Sequence, residues 1–92
     1  SSKGALVVGI LDSVHETPDH LLAVEFSDHA IVVMKAPNGY RAYLEAIKGK
    51  RLVFLLQASK HNYAKWHLDH VLEWTPACTW QEKPRPLLSE GR

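Results

Sequence analysis

Between Leu52 and Trp74 the chain reads LVFLLQASKHNYAKWHLDHVLEW, two apolar stretches joined by a short polar one. From Ala64 onward the even positions are Ala64, Trp66, Leu68, His70, Leu72 and Trp74, all but one apolar. The odd positions Tyr63, Lys65, His67, Asp69, Val71 and Glu73 are mostly polar. Alternation with period two marks a strand with one face buried and one wet. It predicts that Trp66, Leu68, Leu72 and Trp74 point into a core together, with His70 as the one histidine among them. A helix competes for the same residues, because Tyr63, Trp66, His67, His70, Val71 and Trp74 also recur at three and four. Asn62 or Ser59 would cap its start and Pro76 would stop it. That stripe buries two histidines and leaves Leu68 and Leu72 on its flank, so the strand is the better account.

Upstream, residues 4–14 (GALVVGILDSV) form an apolar, β-branched run interrupted by Gly9, where a bulge or sharp bend is expected. Thr17-Pro18-Asp19 is turn chemistry. Residues 21–26 and 30–35 read as two further strands, joined across Ser27-Asp28-His29 as a tight hairpin. Pro37-Asn38-Gly39 ends this meander. Tyr40, Tyr43, Leu44 and Ile47 sit at helical spacing, which predicts a short helix over residues 40–48, capped by Asn38 and closed by Gly49. Lys48, Lys50 and Arg51 stand where the helix dipole favours cations. The fourth strand covers residues 52–58, and Ser59–Asn62 turns it into the fifth.

The order is therefore strand, strand, strand, short helix, strand, strand within about 75 residues. Residues 40–56, YRAYLEAIKGKRLVFLL, place a leucine-bearing helix before Lys-Gly-Lys and an apolar strand. This resembles the helix-to-fourth-strand crossing of single-stranded-DNA-binding domains of the oligonucleotide/oligosaccharide-binding (OB) fold. The resemblance spans most of residues 4–74 and is one of pattern. It implies a mainly β protein, a small five-stranded, partly open barrel with one short helix, followed by an extended C-terminal tail. An SH3-like or Tudor-like barrel is the alternative, but it would shrink the helix to a single turn. The expected division is a leader or cloning remnant over residues 1–3, a barrel over 4–75 and a proline-containing tail over 76–92, the whole a fragment of a larger protein.

Composition narrows the function classes. Ninety-two residues with 46% hydrophobic content make one small globular domain. No apolar run reaches the roughly 20 residues of a membrane helix, so no membrane role is expected. Cys78 is the only cysteine, which leaves no internal disulfide and points to an intracellular setting, cytoplasm or nucleus. The net charge of +1 is far from that of a dedicated duplex-DNA binder, so any nucleic-acid role rests on a local patch.

The OB resemblance implies such a patch. Single-strand-binding barrels combine a cationic groove with stacking aromatics, lined by the second and third strands and by the loops after strands one and four. Carried onto this chain, those loops are residues 15–20 and 59–62. They nominate Lys60, His61, Tyr63 and Lys65 for contact with single-stranded DNA or RNA, with Lys50 and Arg51 as supporting charge. The sequence departs from the family pattern on strands two and three, where Phe26 is the only aromatic and Glu16, Asp19, Glu25 and Asp28 add negative charge.

Other chemistry has thinner support. His67-Leu68-Asp69-His70 gathers ligand-type residues, but on a regular strand His67 and Asp69 share a face while His70 points away, so no metal is expected. Ser13 and Ser59 have histidines nearby without a nucleophile elbow, and Gly39 and Gly49 are isolated rather than part of a phosphate loop. No catalytic residue and no cofactor are expected, and the chain is read as a non-enzymatic binding module. Trp80, Arg85, Leu87 and Leu88 are the tail residues suited to docking on a protein. A protein partner or a homodimer, through the barrel edge and the tail, is thus the second functional reading.

Overall fold

In the computed structural model, residues 3–59 and 65–76 are described. Among them lie β1 (Gly4–Glu16), β2 (Leu22–Phe26), β3 (Ile31–Lys35), the helix α1 (Tyr40–Ala46), β4 (Arg51–Ala58) and β5 (Trp66–Glu73). The strands form a ring in the order β1-β2-β3-β5-β4, with β4 pairing back to β1. Every pair is antiparallel except β3–β5, a parallel seam of two residue pairs, Met34 with Trp66 and Lys35 with His67. The mainly β, OB-like barrel with a short helix between β3 and β4 is thus as the sequence predicts, and residues 66–73 are strand rather than helix.

β1 serves two partners in succession. Its first half, Gly4–Ile10, pairs with β4, and its second half, Leu11–Glu16, pairs with β2. The hand-over needs a bend, and two features supply it. Asp12 is an extra residue in the ladder between Leu11 and Ser13. Gly9 lies just before it, where a Cβ would stand 2.7 Å from a ring carbon of Phe26. The absent side chain lets the Phe26 ring lie against the strand backbone, edge-on to Phe54 with centroids 5.5 Å apart.

The inward positions of all five strands meet in one core, centred on Leu11, Val24, Met34, Leu52 and Phe54. α1 stoppers one end with Leu44, which is fully buried, while Tyr40 and Ile47 pack at its margin. Asn38 does not cap this helix. The capping position is Gly39 in the left-handed region at φ 94°, with no side-chain hydrogen bond. The helix ends at Ile47, and Gly49 follows at φ 92°, donating its N–H to the Leu11 carbonyl at 2.8 Å. The Lys48 ammonium is 3.0 Å from Glu45, and no basic residue lies within the last turn.

β5 departs from the simple alternation. Leu56 pairs with Leu68 but Leu55 pairs with His70, so Asp69 is inserted as a bulge. Before it, Trp66 and Leu68 face inward as expected. After it the phase flips: Val71, opposite Phe54, packs on the core, while His70 and Leu72 turn outward. Leu72 is 42% exposed. Trp74 also lies outside, beneath the Arg51 guanidinium at 5.2 Å from the ring centroid. Of the four side chains expected inside, two are. A one-residue insertion moves every later side chain to the other face.

Candidate functional site

The loop between β1 and β2 is braced by its own side chains. Thr17 N–H donates to the Leu21 carbonyl at 2.8 Å, and His20 N–H to the Thr17 carbonyl at 3.0 Å. The Thr17 hydroxyl accepts from Leu21 N–H at 2.9 Å and donates to an Asp19 carboxylate oxygen at 2.6 Å. That hydroxyl, followed by the Asp19 backbone amide, holds the Asp19 carboxyl below the usual carboxylate range, with smaller help from Lys65 and His20. The loop carries His20 at φ 66°, a left-handed conformation that a histidine adopts only where its surroundings fix it.

Across from this loop, Ser59 N–H donates to the Lys65 carbonyl at 2.9 Å, which draws together the two ends of the connection between β4 and β5. Between the braced loop and this neck lies a groove of about 500 Å³, lined by Asp19, His20, Leu21, Lys35, Ser59, Lys65 and His67. Its floor is the β3–β5 seam, where Lys35 and His67 are paired. Two lysines and two histidines thus line the groove together with Asp19, Lys65 lies near enough to Asp19 to lower its pKa, and a second carboxylate, Glu16, is 3.5 Å from His20 Nδ1. The groove presents compact cationic donors, suited to phosphate or another anion, at the mouth of the barrel.

The sequence-nominated residues divide into three groups. Lys65 lines the groove. Lys60, His61 and Tyr63 lie outside the described residues, as do Trp80, Arg85, Leu87 and Leu88. Lys50 and Arg51 are at the far end of β4, about 23 Å from Ala58 at ~3.3 Å per residue, with Lys50 3.7 Å from Glu73 and Arg51 on Trp74. They do not join Lys65. Lys35 and His67 are groove residues left unassigned on sequence grounds, and His20 belongs to the 15–20 loop that was mapped to the groove without being named as a contact. The signal was present in the ring order, because an OB-like barrel sets the end of β3 beside the start of β5.

The outer faces of β2 and β3 carry Ala23, Glu25, Ile31, Val33 and Lys35 beside the groove. Among the described residues no aromatic side chain stands there, and Ile31 and Val33 are exposed. Glu25 lies 3.7 Å from His29 and accepts from the Ser13 hydroxyl at 3.3 Å. On β5 the bulge sets His67 and His70 on one outer face, contrary to the regular-strand expectation that they point apart. Among the described residues no three His, Cys, Asp or Glu side chains converge as a metal site would need. No helix of the described residues is long and apolar enough to cross a membrane. No protein-family model, curated protein or solved structure matches the chain.

Proposed function

We propose that this barrel is a non-enzymatic binding module that takes single-stranded DNA or RNA along the groove between the β1–β2 loop and the β4–β5 neck, within an intracellular assembly that handles nucleic acid. The observation that carries the reading is the pair of lysines, Lys35 and Lys65, with the imidazoles of His20 and His67 beside them at the mouth of an OB-like barrel, where Asp19 is the only carboxylate among the described lining residues and Glu16 stands behind His20 at 3.5 Å. In this reading Lys35 and Lys65 hold phosphates, and the imidazoles of His20 and His67 offer small stacking or hydrogen-bonding surfaces. Lys60, His61 and Tyr63 belong to the connection that starts at the neck and keep the contact role proposed for them.

Fluorescence anisotropy with a labelled oligothymidine tests it at two salt concentrations. Two phosphate contacts to a single strand give a slope near −1.4 in log K against log salt, about sevenfold weaker binding between 50 and 200 mM. A Lys35→Ala/Lys65→Ala variant should lose most of the binding and most of the slope. Absence of binding at ~100 μM in low salt, or binding unchanged in the double variant, would refute the proposal.

A second reading, a protein-interaction module without nucleic-acid contact, draws on a different observation. Ile31 and Val33 stand exposed on the strands where stacking rings would be needed, a surface better suited to apolar side chains than to bases.

A further inference from the structure

The outer face of β1, β4 and β5 carries a second apolar surface, which meets the groove only at His67. Its rows follow from the ladder register. Gly4, Gln57 and His67 form one row, and Leu6, Leu55 and His70 the next. Val8, Val53 and Leu72 form the third, and Ile10, Arg51 and Trp74 the last. Leu6 is 52% exposed, Val8 43% and Leu72 42%, whereas Val53 in their midst is only 5% exposed. Among these twelve positions Arg51 is the only lysine, arginine or carboxylate, and its guanidinium is already turned onto Trp74.

We infer that this face is the interface between two copies of the chain, packed sheet on sheet about a two-fold axis that lies between the sheets and crosses the strands. Such an axis, set midway between the second and third rows, lays each strand antiparallel on its own copy. The second row of one copy then covers the third row of the other, and the first row covers the fourth. On β1 and β4 three of the six pairs it creates match large to small, Leu6 on Val8, Leu55 on Val53 and Gly4 on Ile10, while on β5 His70 meets Leu72 and His67 meets Trp74. The set also matches polar to charged, because Gln57 meets Arg51 and no like charges are opposed. A two-fold axis running along β4 would instead set Arg51 against Arg51. The complementarity of leucine and valine rows within one surface is what selects a second copy as the occupant.

Area sets the strength. Three strands ~4.8 Å apart and three two-residue steps of ~6.7 Å give a face of about 14 by 20 Å, roughly 300 Å² in projection. Counted over both copies that is about 600 Å² in projection, well below the roughly 1,600 Å² of a standard interface, so the association is weak and reversible. The face shares only His67, at its edge, with the groove, so the inference rests on the other eleven positions and not on what the groove binds.

Sedimentation velocity on the whole chain, from about 5 to 500 μM, provides the test. The sedimentation coefficient should rise from the monomer to the dimer value across that range. Leu72→Glu should weaken association about tenfold or more while leaving the circular dichroism spectrum and melt of the dilute protein unchanged. Two further variants address the register without touching apolar side chains: Gln57→Glu, facing Arg51, should tighten the dimer and Gln57→Arg should loosen it. A chain that stays monomeric to 500 μM overturns the inference. So does a dimer indifferent to Leu72→Glu, or one on which the two Gln57 changes act in the same direction.

Discussion

Replacing Gly9 by alanine adds one methyl group at the tightest point of the barrel. In an ordinary strand position the change stabilises by roughly 0.5–1 kcal/mol, because glycine loses more backbone freedom on folding. Here the new Cβ would lie 2.7 Å from Cδ1 and 3.0 Å from Cγ of Phe26, inside any normal contact distance. The ring cannot swing away at low cost, since Phe26 is buried and rests edge-on against the fully buried Phe54. Overpacking of a filled core costs about 1–3 kcal/mol, so the net loss should be about 1–2 kcal/mol. For a domain of this size that lowers Tm by about 4–16 °C. Urea denaturation followed by tryptophan fluorescence should show a lower midpoint at unchanged slope. Phe26→Leu on its own also destabilises, but in the Gly9→Ala/Phe26→Leu double variant the methyl enters space the ring vacates. The two effects should then fall short of additivity by about 1 kcal/mol or more. A Gly9→Ala midpoint equal to or above that of the parent, or strictly additive costs, would show that the glycine serves only to bend the chain.

Leu68→Ala and Leu72→Ala, measured on dilute protein, separate the two sides of the Asp69 bulge. The first should cost about 2–4 kcal/mol and the second below about 1 kcal/mol, whereas an unbroken strand would make them alike. His29→Gly should stabilise by about 0.5–1 kcal/mol in a thermal melt. His29 sits at φ 73° at the close of the β2–β3 hairpin, a left-handed position that favours glycine, and the exposed contact with Glu25 that it gives up is worth little. Thr17→Val should let the Asp19 carboxyl titrate at higher pH, as followed by carbon-detected NMR. The lowered folded-state value means that the carboxylate contributes to stability above its unfolded-state pKa, a contribution lost as pH falls through the folded value. In Thr17→Val the acid limb of the pH–stability curve should flatten accordingly.

Much of the fold was legible because strand patterns and turn chemistry agreed along the chain. The runs ending at Phe26, Lys35 and Ala58 each became a strand within a residue or two of the expected bounds, and the helix spacing of Tyr40, Tyr43, Leu44 and Ile47 held. What escaped was the phase of β5. Nothing in HLDHVLEW distinguishes a regular strand from one with an extra residue at Asp69, because a bulge is fixed by the partner strand, here at Leu55 and Leu56. The pattern of apolar even positions was real, but after Asp69 it describes an apolar outside. The groove was half legible for a related reason. Loop residues could be nominated from sequence order, whereas Lys35 and His67 reach the groove only through ring closure between strands far apart in the chain.

That closure rests on two rungs, Met34 to Trp66 and Lys35 to His67, while the other four strand junctions are longer. Thermal opening of the ring should therefore start there, with Lys35 and His67 parting first and their neighbouring amides exchanging with solvent earliest among the strands. A polyanion bridging that lysine to that imidazole would act as a clasp, so that ligand occupancy and mechanical integrity of the cylinder become one quantity, readable as slowed exchange at a single junction.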